Sequence, residues 1–186
     1  MSQTLRRLLL ALAGLSSLAA VSDGDARLQP LFHIAKNTDG NEIHYEARIG
    51  ADCRFAEPPI LVRWMTRREG LAYRRELNWL ETHFAYGVSV TRFGERKLSF
   101  TIAGDSTRPV EVALEPATSG CQAEARVRML DQWVKPERAF IEILERDVLI
   151  PKIRHVDLRG RRPDGSVVCE RLTDAGQPGR PCPSGE

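Results

Sequence analysis

The sequence predicts an all-β domain, an antiparallel β-sandwich or open barrel with one short helix. Three observations predict it. Apolar residues recur at every second position through most of residues 31–172, these runs are short and separated by turn residues, and one stretch, residues 74–86, breaks the pattern with a spacing of three and four. Runs this local favour meanders over parallel βαβ units.

The first run sets a hairpin. Phe32, Ile34, Ile43, Tyr45, Ala47 and Ile49 share one parity around Asn37-Thr38-Asp39-Gly40. A four-residue loop there pairs Lys36 with Asn41 and so places His33 opposite His44, on the outward face beside Glu42 and Glu46. Residues 60–64 form the next strand, with Trp64 on the core parity of Ile60 and Val62. Strands follow at residues 98–102, 110–114, 121–129, 139–144 and 152–159, and a last hairpin turns at Pro163-Asp164-Gly165 into residues 166–172. In residues 74–86 the stripe Leu77, Leu80 and Phe84 predicts a helix that covers a sheet face or plugs an open end, with Leu80 in the core and Gly87 as a left-handed C-terminal cap. Arg75 and Asn78 then lie on its polar side. With Tyr86 just beyond, they are the expected binding residues.

Residues 1–22 read as a signal peptide: Arg6 and Arg7 precede an uncharged apolar run, and Ala20-Val21-Ser22 offers small residues for cleavage. The run is shorter than the ~20 residues that cross a bilayer, so no stable membrane span is expected after processing. Residues 23–172 then form one domain and residues 173–186 a Pro/Gly-rich tail. The whole chain has 27 Lys and Arg against 25 Asp and Glu; without residues 1–22 it has 25 of each. That balance argues against a nucleic-acid partner. Export to the periplasm or beyond turns the four cysteines into disulfide candidates. Three connectivities are open, and the expected one joins Cys53 to Cys121 and Cys169 to Cys182, the second tying down the tail.

No nucleophile elbow, zincin motif, phosphate loop or dinucleotide fingerprint is present, and no cofactor is implied. A metal reading would use His33, His44 and a carboxylate from Glu42 or Glu46; the plainer one is a solvated polar hairpin face. His83 and His155 stand alone in sequence. Arg67, Arg68, Arg74 and Arg75 lie near Tyr73 and Trp79, and Arg159, Arg161 and Arg162 precede the last turn; guanidinium groups so grouped suit an anionic envelope component.

Residues 31–37 and 41–47, 60–65, 75–78 with Ala85-Tyr86-Gly87, 153–160 and 165–172 resemble the bacterial family called domain of unknown function 4833. The resemblance implies a small exported domain and carries over no catalytic residues. The function expected is binding of an envelope protein or small ligand without catalysis; the alternative is a metal-binding protein or metal-dependent enzyme.

Overall fold

A computed structural model describes residues 26–38, 40–68, 71–118, 120–145, 152–173 and 177–183. The expected signal peptide lies outside the described residues. Among the described residues twelve strands and one helix follow in order: β1 (Arg27–Lys36), β2 (Glu42–Ile49), β3 (Phe55–Arg68), β4 (Leu71–Glu76), α1 (Trp79–Phe84), β5 (Val88–Arg92), β6 (Lys97–Ile102), β7 (Asp105–Ala117), β8 (Gly120–Met129), β9 (Gln132–Glu145), β10 (Lys152–Arg161), β11 (Val167–Leu172) and β12 (Arg180–Pro181).

The fold is all-β with one short helix, a large mixed sheet not closed into a barrel. Two arms diverge at β9. The start of β9 pairs with β8, through Val127↔Val134, and leads to β7, β6 and β5. Farther along, β9 pairs with β1, through Ile34↔Ala139, and leads to β2, β3 and β4. Its other edge carries β10, then β11 and β12. The β1–β9 pair is parallel, so the expectation of a wholly antiparallel sheet is corrected. Period-two patterning marks both strands but says nothing about partners about a hundred residues apart.

The arms share one core. Phe32 stacks on Tyr45 at 4.6 Å, and each lies 6.2 Å from Phe100 on the other arm. Tyr45 is fully buried; its hydroxyl donates to the Tyr86 carbonyl at 2.9 Å, and burial pushes its pKa well above the ordinary tyrosine value. Cys53–Cys121 joins the turn after β2 to β8 and so links the two arms. Cys169–Cys182 brings β12 onto β11, and by chain entropy that short loop contributes about 3 kcal/mol.

The stretch at residues 74–86 needs two corrections. Residues 74–76 belong to β4, paired with β3 through Trp64↔Arg75, and the helix is only six residues long. Its stripe also faces outward: Trp79, Leu80 and Phe84 are 64%, 62% and 67% exposed, and only Leu77, before the helix, packs on the core. Gly87 is no left-handed cap. It is buried, and a Cβ there would lie 2.0 Å from the Thr82 carbonyl oxygen, so close approach to the helix backbone demands glycine.

Candidate functional site

Strands β9 and β10 pair in regular register from Arg138 to Glu142 and from His155 to Arg159, and side chains there alternate. Ala139 and Ile141 on β9, with Val156 and Leu158 on β10, turn to the core. The intervening residues face away, and the antiparallel register sets Arg138 opposite Arg159, Phe140 opposite Asp157 and Glu142 opposite His155. These six side chains line a cleft of about 290 Å³. Arg138 and Arg159 stand directly opposed at one end of the cleft, and Arg159 also acts electrostatically on Asp157.

The far end of the cleft is an ion-pair network. His155 is buried, with Nδ1 3.2 Å from Glu142 Oε2 and Nε2 3.5 Å from Asp157 Oδ2. Asp157, also buried, accepts two hydrogen bonds of 2.7 Å from the Arg171 guanidinium on β11. Those hydrogen bonds hold its carboxyl below the ordinary aspartate range. Arg138 lies 5.2 Å over the Phe140 ring, a cation–π contact between the cationic and acidic ends of the cleft.

The first hairpin adjoins this cleft through the β1–β9 pairing, which sets His33 beside Arg138. The register expected from the four-residue loop holds: His33 pairs with His44, their rings stacked 5.5 Å apart. Burial lowers the His33 pKa, His44 and Arg138 add to that, and Glu42 opposes it. Of the candidate metal ligands, Glu46 is buried and accepts hydrogen bonds from Arg63, one of them from Nε at 3.1 Å. Glu42 instead reaches His44 Nε2 at 2.8 Å. The closest potential metal group among the described residues is Asp157 with Cys169 and Cys182, whose sulfurs are joined in a disulfide.

Arg75, Asn78 and Tyr86 sit at a different corner and have structural partners. Arg75 donates to both Glu81 oxygens at 2.8 and 2.7 Å and lies 4.9 Å over the Trp64 ring. Asn78 caps α1: its side chain accepts from the Glu81 N–H at 2.9 Å, and Glu81 accepts from the Asn78 N–H at 2.8 Å. Tyr86 packs edge-on to Trp64 at 5.7 Å. Arg75 chiefly, with Asn78 helping, holds the Glu81 carboxyl down to about 2.

Sequence reasoning left Arg138, Glu142 and Asp157 unremarked and treated His155 as isolated. A signal existed. Alternate residues Arg138, Phe140, Glu142 and His155, Asp157, Arg159 make two outward rows of functional side chains on strands whose other parity is apolar.

Residues 32–171 match the family described as domain of unknown function (DUF4833), 140 of the 186 residues. The chain belongs to that family. No curated protein and no solved structure matches it. The span matched to DUF4833 holds both cleft strands and ends on Arg171, the residue that clamps Asp157.

Proposed function

We propose that this DUF4833 domain is an exported, non-enzymatic binding module that holds a small ligand bearing an acidic group in the β9–β10 cleft. The opposed pair Arg138 and Arg159 at the end of a 290 Å³ cavity carries the reading. Guanidinium groups recognise carboxylate or phosphate through paired hydrogen bonds. Glu142, whose Oε1 accepts from Arg154, keeps acceptor capacity for a hydroxyl group of the ligand. Binding is favoured over catalysis because both nitrogens of His155 face carboxylates and Asp157 is clamped by Arg171, an arrangement that fixes the histidine instead of leaving a nitrogen for proton transfer. Two disulfides and the leader pattern of residues 1–22 support export to the periplasm or outside the cell.

Calorimetry with galacturonate and galactose tests this reading. Galacturonate is expected to bind at least ~10-fold tighter than galactose, about 1.4 kcal/mol, with the difference lost in Arg138→Gln/Arg159→Gln. Equal binding of the two sugars, or a preference that survives the double substitution, overturns it.

A further inference from the structure

The helix between β4 and β5 is turned inside out. At 3.6 residues per turn, Trp79, His83, Leu80 and Phe84 fall on one arc of about 140°, and Glu81 and Thr82 take the rest. An amphipathic helix ordinarily sets its apolar arc against the core; here the polar arc is the one tied to the protein. Glu81 receives two hydrogen bonds from Arg75, its carbonyl accepts from the N–H groups of Ala85, Tyr86 and Gly87, and Gly87 packs against the Thr82 backbone. No residue of α1 is buried. The outward arc packs on itself, with Trp79 stacked on His83 at 4.7 Å and edge-on to Phe84 at 5.7 Å.

We propose that this arc docks the domain on a phospholipid bilayer, inserting Trp79, Leu80 and Phe84 at the boundary of headgroups and acyl chains. The proposal goes beyond the cleft reading and uses none of its residues. Size argues against a protein partner. Exposed by 62–67%, the three side chains leave roughly 400 Å² in solvent, whereas a stable interface between two proteins takes about 800 Å² from each. A lipid interface demands no matching shape, and an arc one side chain deep suits the roughly 5–10 Å to which interfacial helices sink. Chemistry points the same way. Tryptophan is favoured at the headgroup boundary, while protein interfaces carry about one hydrogen bond per 100–200 Å². The one polar side chain on the arc, His83, already has Nδ1 2.9 Å from the Trp79 carbonyl oxygen. The contact is apolar and not electrostatic: Arg75 is closed on Glu81, and exposed Arg74 and Glu76 balance on one face of β4.

Flotation with phosphatidylcholine vesicles tests the proposal, on the chain lacking residues 1–22, whose apolar run would itself bind lipid; every described residue is kept. Wild type is expected to float with the vesicles, and Trp79→Ser/Phe84→Ser to partition at least ~10-fold more weakly. Trp133→Ser, which removes an exposed tryptophan far from α1 in sequence, should change partitioning less than about twofold, and raising salt to about 0.5 M less than about threefold. Urea unfolding confirms that both variants fold. Failure of wild type to float, equal flotation of the Trp79/Phe84 variant, or flotation abolished by salt overturns the proposal. So does a concentration-dependent dimer in light scattering that the same two substitutions abolish, which assigns the arc to a second copy of the chain. None of these outcomes involves the cleft, so either reading can fail while the other stands.

Discussion

The β9–β10 cleft and the α1 corner invert the usual arrangement in opposite ways. The cleft buries ionisable groups, His155 and Asp157, on the face of the sheet turned away from the core. The corner leaves Trp79, Leu80 and Phe84 in solvent on a helix whose polar side is the part engaged with the protein. Buried charge is tolerated when it is paired and hydrogen-bonded, and the cleft meets that condition with Arg171 on Asp157 and two carboxylates on His155. A six-residue helix is too short to persist through propensity, and here the capping box and the Arg75–Glu81 ion pair take the place of apolar packing. The cleft is therefore stabilised by burial of a polar network, the corner by exposed caps around a few backbone groups. Substitutions in the two regions should differ accordingly in size.

The largest effect is expected in the cleft. Asp157→Ala leaves the Arg171 guanidinium without its bidentate partner in a half-buried position and removes the acceptor facing His155 Nε2. Loss of one member of a buried pair costs about 3 kcal/mol or more, and urea unfolding should read it directly. A loss below about 1 kcal/mol, the range of exposed ion pairs, would place Asp157 at an ordinary surface and erase the contrast with the corner.

An intermediate effect is expected at the cap. Asn78→Ala removes the acceptor of the Glu81 N–H and should cost about 1 kcal/mol. Acid sharpens this. Because Glu81 has a pKa near 2 in the folded chain against an ordinary 4.5, its contribution is complete above pH 4.5 and is lost as pH falls from there toward 2. Urea unfolding between pH 5 and 3 should therefore weaken wild type more than Glu81→Gln. Equal slopes would mean that the ion pair does not hold the corner.

Much of the architecture was legible because side-chain parity is a local property. Tyr45, Ile43 and Trp64 alternate with outward residues, and the His33–His44 register followed from loop length alone. Strand β4 was not legible: Tyr73, Arg74, Arg75 and Glu76 have no apolar alternation, and their conformation comes from pairing with β3. The short helix had a readable start, since Asn78 followed three residues later by Glu81 is a capping box, but its direction of facing was not readable. The cleft was hidden for a topological reason. Arg138 and Arg159 become neighbours through β9–β10 pairing, and His33 joins them through a parallel pairing of strands distant in sequence.

The smallest effect is expected at Leu80, and it tests the contrast most severely. Spacing alone puts Leu80 in the centre of an apolar stripe, and a residue so placed in a core would lose roughly 2–5 kcal/mol on truncation to alanine. The structure exposes 62% of it, so Leu80→Ala vacates no packed space and gives up little buried area. Alanine is also the better helix former by a small margin, which offsets part of what contact is lost. The change in unfolding free energy should stay within about 0.5 kcal/mol, the ordinary range for surface substitutions. A loss above about 2 kcal/mol would show that the helix packs its stripe inward in solution; the corner would then be a second core element and no counterpart to the cleft.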